Sequence, residues 1–143
     1  MDKKLVIALV VLILVAVAGA ILIALPSPAG NNGISQPFES ERVRVSSPLP
    51  GATVPRTFTV TGEASAWYFE ASFPLEVLDQ NGTRVGVSYA TAQGDWMTTD
   101  FVPFIGEITV NNYSGPATLV LHKDNASGLP EHDESVSFPI VVQ

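Results

Sequence analysis

The chain has 143 residues, a formal net charge of −7, a mean hydropathy of +0.29 and no cysteine. Without cysteine it forms no disulfide and carries no lipid on an N-terminal cysteine. Its excess of acidic side chains argues against a nucleic-acid partner, because nucleic acids are bound by basic surfaces that displace their counterions.

The hydrophobic residues are concentrated near the N-terminus, where Leu5 to Leu25 include no polar or charged side chain. As a helix rising about 1.5 Å per residue, this segment would be roughly 31 Å long and would match a hydrocarbon core of about 30 Å. We therefore predict one transmembrane α-helix over residues 5–25. The apolar run continues past the small residues that resemble a cleavage site, which favours an uncleaved signal anchor, and a cleaved secretory signal is the alternative.

The positive charges predict the orientation of this helix. Lys3 and Lys4 precede it, and the next basic residue is Arg42. The positive-inside rule then places residues 1–4 in the cytoplasm as a short stub and the rest of the chain outside the cell membrane. The expected protein is single-pass, with an extracytoplasmic C-terminal domain.

Residues 26–40 are rich in Pro, Gly and Asn and contain few side chains able to build a core. This composition predicts a flexible tether. The folded domain is expected over residues 41–143.

Beyond the tether, apolar residues recur with period two in short runs separated by Gly, Pro, Asn and Asp. This spacing predicts about seven strands, each with one apolar face, and a β-sandwich covers such faces. Asp79 to Gly82 read as a hairpin turn, while Pro74 and Pro139 indicate strand edges or a bulge, because proline lacks the N–H of a central strand. The expected inward sets are Val43 and Val45; Phe58 and Val60; Phe73, Leu75 and Val77; Val85, Val87 and Tyr89; Phe104, Ile108 and Val110; Leu119 to Leu121; and Val136, Phe138, Ile140 and Val142.

Short motifs follow one another along this domain in a fixed order. They are Ser47-Pro48, Pro50-Gly51, Val60-Thr61-Gly62, Phe69-Glu70 and Gly94-Asp95-Trp96. Over about residues 41–142 this order resembles the immunoglobulin-like domain of bacterial spore germination proteins. The resemblance implies an immunoglobulin-like β-sandwich that serves as an extracytoplasmic accessory module, with no catalytic residues to carry over.

Trp67, Tyr68 and Glu70 are the residues most typical of a ligand or partner surface, because adjacent aromatic rings can stack on a sugar or a partner side chain. The structural interpretation is that alternation buries Trp67 and Phe69 in the core and leaves Tyr68 at the surface. Trp96 is expected to fill the core after its Gly-Asp turn.

Asp124 and the run from Glu131 to Glu134 place several carboxylates near the turn before the last strand. They can be read as Ca²⁺ ligands, but a solvated acidic loop is the simpler interpretation, and we predict no metal site and no cofactor. His122 and His132 lack a neighbouring nucleophile motif, so we predict no catalytic residue and no enzyme activity.

The predicted function is that of a membrane-anchored, non-catalytic module that binds a protein or the cell envelope and is related to spore germination proteins. One alternative is a domain that binds, or less readily cleaves, cell-wall glycan, which requires Tyr68 and at least two carboxylates to share a groove. Another alternative is a passive structural spacer with no affinity for a partner.

Overall fold

The structure is a computed structural model that describes residues 35–143. The predicted stub, the transmembrane segment 5–25 and residues 26–34 of the predicted tether lie outside the described residues. Between residues 35 and 143, no helix is long and apolar enough to cross a bilayer.

The described part of the chain is built from strands. A single 3₁₀ turn, Pro130–His132, accompanies them. The strands are β1 (Phe38–Glu39), β2 (Val43–Ser47), β3 (Thr53–Val54), β4 (Thr57–Ala64), β5 (Ser72–Leu78), β6 (Arg84–Ala92), β7 (Val102–Thr109), β8 (Gly115–His122) and β9 (Ser135–Val142).

All nine strands belong to one sheet, in the order β1-β2-β4-β7-β6-β5-β8-β9-β3. The sheet curls so far that residues near its two ends meet, since the Phe38 ring in β1 stacks on the Phe138 ring in β9 with centroids 5.2 Å apart. Phe38 and Glu39, which lie inside the segment predicted as tether, are therefore part of the sheet.

The core lies inside this curl. The ring of Phe73 in β5 packs edge-on against the ring of Phe104 in β7, with centroids 4.9 Å apart. The centroid of the Tyr68 ring lies 5.3 Å from that of Phe73. Burial of these rings and of the inward side chains of β2, β4, β8 and β9 supplies the main driving force for folding. The fully buried residues include Val43, Val45, Val60, Phe73, Leu75, Val77, Leu119 and Leu121.

The prediction of all-β, immunoglobulin-like architecture is confirmed; where about seven strands in a β-sandwich were predicted, the structure has nine strands in one curled sheet. The seven predicted strands are all present, and β1 and β3 are additional. Strand β6 pairs with β5 along its length and also with β7 at Thr91 and Ala92, so it joins the two halves into one sheet. Strands of two residues carry no detectable period-two pattern, which explains why β1 and β3 escape sequence analysis.

The predicted inward face of β6 is also wrong. Val87 and Tyr89 are 54% and 59% exposed, whereas Gly86 and Ala90 are buried. The register explains the difference, because Val77 pairs with Gly86 but Leu78 pairs with Arg84, which leaves Val85 as an extra residue. Such a bulge shifts the alternation by one, so Val85 packs against the core and Val87 and Tyr89 point outward.

The two prolines occupy positions where their missing N–H is tolerated. Pro74 pairs with Tyr89 in β6, but pairing of β5 with β8 begins only at Leu75, so the strand is an edge on that side. Pro139 precedes the short parallel pairing of Val141 with Thr53 in β3. Both outcomes agree with the edge interpretation.

The predicted hairpin between β5 and β6 is present, with a connection of residues 79–83. Gly82 has a φ of +78°. One carboxylate oxygen of Asp79 accepts the N–H groups of Asn81 and Thr83 at 2.8 and 2.9 Å. The side chain of Asp79 thus holds a turn longer than a two-residue hairpin loop.

Glu76 lies on the outer face of the curled sheet with a side chain only 13% exposed. Arg84 Nε donates to one carboxylate oxygen at 2.5 Å, and His122 Nε2 lies 2.8 Å from the other. Burial opposes ionisation of Glu76, but the hydrogen bonds from Arg84 and His122 outweigh it and hold the pKa of Glu76 below its usual value.

This arrangement predicts acid sensitivity. A carboxyl whose pKa is lowered by folding stabilises the protein above the pKa of an unfolded glutamate, about 4.3, and loses that contribution as pH falls through the folded pKa. As the pH is lowered through this acid range, we expect the denaturant concentration at the unfolding midpoint to decrease. In Glu76→Gln, the dependence of this midpoint on pH should be weaker. Denaturant unfolding at a series of pH values measures both. The matched control is the exposed Glu107, whose change to Gln should keep the wild-type slope, and an unchanged slope in Glu76→Gln would contradict the prediction.

Candidate functional site

Four connections meet at one end of the curled sheet, and we call them together the loop end: residues 40–42, 65–71, 93–101 and 123–134. They are tied to one another by hydrogen bonds. Ser65 N donates to Arg42 O at 2.9 Å, Ser65 Oγ donates to Thr99 O at 2.6 Å, and Asp124 N donates to Trp67 O at 3.1 Å. The antiparallel topology thus gathers segments that are far apart in sequence.

The predicted site residues Trp67, Tyr68 and Glu70 all lie in the 65–71 connection, but their exposure differs from the expectation. Trp67 is 3% exposed and Tyr68 is 9% exposed, while Phe69 is 42% exposed and Glu70 is also exposed. The interpretation that buries Phe69 and leaves Tyr68 at the surface is therefore wrong.

The segment does not alternate because it is not extended. Ala66, Glu70 and Ala71 have φ values of 51°, 49° and 65°, in the left-handed region. The N–H groups of Phe69 and Ser72 each donate to the other residue's carbonyl, which closes a tight turn. These turns carry two consecutive aromatic side chains, Trp67 and Tyr68, into the core.

Burial gives Tyr68 a structural role. Its hydroxyl donates to the carbonyl of Val102 at 2.5 Å. Burial is the main reason that the pKa of Tyr68 lies well above its ordinary value. A buried ring cannot stack on a sugar, so the glycan-binding hypothesis in the form that requires Tyr68 in an open groove is wrong.

Two predicted acidic groups come together at the loop end. Asp124 lies close enough to Glu70 for the two charges to repel, and burial, followed by this repulsion, raises the pKa of Asp124. The carboxylates are 54 positions apart in sequence, and the hydrogen bond from Asp124 to Trp67 accounts for their proximity.

The rest of the 123–134 connection forms its own hydrogen-bond network. Ser127 Oγ donates to Asn125 Oδ1 at 2.6 Å and lies 2.9 Å from His132 Nδ1. These contacts order the loop. Asn125 also donates to Asp133 at 2.7 Å. Within residues 35–143, no group of three or more His, Cys, Asp or Glu side chains is arranged to hold a metal ion.

Three exposed apolar side chains lie at the loop end, and the sequence did not mark them as site residues. Phe69, Met97 and Leu129 are 42%, 76% and 47% exposed, and each lies in a different connection. Exposed large apolar side chains on loops are available for contact with a partner. Their only sequence signal is a large apolar residue in a segment with turn residues, which does not show that the loops are neighbours.

The loop end also carries most of the domain's negative charge. It contains eight carboxylates against Arg42 and Lys123, a formal net charge of −6 with histidine neutral. The connections at the opposite end, residues 48–52, 55–56, 79–83 and 110–114, contain Arg56 and Asp79 and have a net charge of zero. The domain is therefore strongly polarised.

Arg42 and Lys123 are both directed at Glu134 beside Trp67. Lys123 Nζ lies 2.8 Å from Glu134 and Arg42 lies 3.9 Å from it, and these contacts, the Lys123 hydrogen bond first, lower the pKa of Glu134. Trp67, Arg42 and Glu134 line a groove of about 160 Å³ together with Ser135. The indole Nε1 of Trp67 is buried and has no hydrogen-bond partner among the described residues.

A family model for the immunoglobulin-like domain of bacterial spore germination, Gmad2, matches residues 42–128, which is more than half of the chain. The chain belongs to this family. The Gmad2 match covers β2 to β8, the 65–71 and 93–101 connections in full and parts of the other two, and it confirms the resemblance seen in the sequence. It ends within the fourth connection, so β9 completes the curled sheet of this Gmad2 domain from outside the matched segment.

Comparisons with curated proteins and with solved structures give no match to this Gmad2 chain. The family assignment therefore rests on the Gmad2 model.

Proposed function

We propose that the chain is a non-catalytic binding module, held at the outer face of a cell membrane by residues 5–25 and presenting its Gmad2 domain to a protein partner of the cell envelope. The length of the apolar segment and the positions of Lys3 and Lys4 support the anchor and its orientation. The family supports an accessory role related to spore germination proteins.

A membrane anchor followed by a tether would keep the domain near the membrane face, where a partner would have a high effective concentration, so weak contacts would suffice.

The observation that carries the binding function is the exposure of Phe69, Met97 and Leu129 in three neighbouring loops. The sheet edges are less suitable, because β1 and β3 have only two residues each and Pro50 and Pro55 flank β3. Short edges with nearby prolines are poor templates for an added strand.

Retention on the immobilised full chain tests this function. We expect a protein from a membrane-protein extract to be retained, and we expect the triple variant Phe69→Ser, Met97→Ser, Leu129→Ser to lose it. The matched control is Val87→Ser with Tyr89→Ser, two equally exposed apolar residues on the sheet face. Equal retention by wild type and the triple variant would contradict a role for the loop end, and no retention from extract or purified cell wall would indicate a passive spacer.

The anchor needs a separate experiment. We expect the chain to remain in the membrane pellet after alkaline carbonate extraction and the intact mass of the mature protein to include residues 1–25. A mature chain recovered from the medium without these residues would show that they are a cleaved signal.

A further inference from the structure

We infer that the loop end recognises a cationic segment of the partner polypeptide, with the indole N–H of Trp67 donating to a main-chain carbonyl of that segment. This inference rests on the proposed binding function and specifies its partner class.

The charge distribution determines the sign of the partner. Six units of net negative charge at the loop end, against none at the opposite connections, attract a cationic surface and orient the domain toward it. Acidic partners and anionic polymers are repelled by the same field.

Glu70 and Asp124 provide a position for a lysine or arginine side chain. The hydrogen bond of 3.1 Å from Asp124 N to the carbonyl of Trp67 joins the 123–134 connection to the segment that carries Glu70. After burial, repulsion by Glu70 contributes to the raised pKa of Asp124. A cation bound between them would remove this repulsion. Two carboxylates are too few for Ca²⁺, which takes six to eight oxygen ligands, so an ammonium or guanidinium group is the better match.

Trp67 is the second, independent observation. Its indole N–H is buried and has no acceptor within residues 35–143, and buried donors are normally hydrogen-bonded. The residue lines the groove beside Arg42 and Glu134, whose 3.9 Å contact is long and whose side chains are 42% and 45% exposed. A peptide carbonyl that enters this groove would supply the missing acceptor.

The exposed apolar side chains complete the match to a polypeptide. Phe69, Met97 and Leu129 offer apolar contact to neighbouring side chains of a bound segment.

The test uses the full chain in a non-ionic detergent at physiological ionic strength. The protein contains no cysteine, so a fluorophore can be attached to Ser127→Cys at the loop end or to Asn81→Cys at the opposite end. The probe is an acetylated peptide of alternating lysine and leucine, and its control replaces lysine with glutamate. We expect saturable binding of the lysine peptide at the Ser127 position alone, since partition into the micelle would affect both positions equally.

Two sets of variants separate recognition from folding. Trp67→Phe keeps the ring and removes the N–H, so we expect about tenfold weaker binding with an unchanged or higher denaturation midpoint. Glu70→Gln with Asp124→Asn should weaken binding about fivefold or more, while Asp79→Asn at the opposite end should not change it.

Undiminished binding by Trp67→Phe, or an equal response at both labelled positions, would overturn the inference. If the apolar triple variant loses retention of the envelope partner but the lysine peptide does not bind, the inference fails and the proposed function stands. If the wild-type chain retains no partner, the proposed binding function is wrong, and the inference that rests on it is wrong as well.

Discussion

Gly62→Ala is expected to lower the free energy of unfolding by about 3 kcal/mol or more. A Cβ at this position would lie 2.0 Å from the backbone oxygen of Arg44 and 2.9 Å from Cζ of Phe104. The close approach occurs where β2 pairs with β4 and where the register shifts between Val45 and Ser47. Because the obstructing atom belongs to the backbone, a side-chain rotation cannot relieve the clash, and β2 must move.

Denaturant unfolding of residues 35–143, followed by tryptophan fluorescence, measures this effect. The matched control is Gly94→Ala, where the added Cβ would meet only Val102 Cγ1 at 3.8 Å, an ordinary contact. We expect Gly94→Ala to stay within about 0.5 kcal/mol of wild type. Equal effects of the two substitutions would contradict the described packing of β2 on β4.

Phe73→Ala is expected to lower the free energy of unfolding by about 3–5 kcal/mol, the usual range for replacing a buried phenylalanine with alanine. Phe73 is 0% exposed, and its ring contacts those of Tyr68 and Phe104, so its removal opens a cavity between β5, β7 and the 65–71 connection. The neighbouring rings cannot collapse into this space without moving their strands.

The same unfolding measurement on Val87→Ala supplies the contrast. Val87 is 54% exposed, so we expect a change within about 0.5 kcal/mol. If Val87→Ala lowers the free energy of unfolding as much as Phe73→Ala does, then Val87 faces the core. Strict alternation along β6 predicts that orientation, and it would contradict the register described here.

The alternation of apolar and polar residues correctly predicted the buried face of strands that are regular over several residues. Phe73, Leu75 and Val77 in β5 are buried as predicted, and so are Phe138, Ile140 and Val142 in β9. Burial of one face is what the period-two pattern reports, so these strands needed no further information.

Alternation failed where an extra residue or a left-handed turn interrupts it. Val85 bulges out of the β5–β6 register and reverses the later part of β6. Ala66 and Glu70 adopt positive φ although they are not glycine, so the burial of Tyr68 had no local signal. Such departures depend on packing by distant strands.

The candidate site was partly visible in the sequence. Trp67, Glu70 and Asp124 were singled out by residue type, but their proximity depends on strand order, which alternation does not determine. The exposed Phe69 was expected inside, and Met97 and Leu129 gave no recognisable pattern. The charge polarity required knowing which connections share an end of the sheet.

The most direct test of the central claim, a domain displayed outside the membrane by an N-terminal anchor, is cysteine labelling of intact cells. The full chain has no native cysteine, so each variant reports a single position. We expect Ser127→Cys to react with a maleimide that cannot cross the cytoplasmic membrane, and Asp2→Cys to react only after permeabilisation. Protection of Ser127→Cys together with labelling of Asp2→Cys in intact cells would contradict the account.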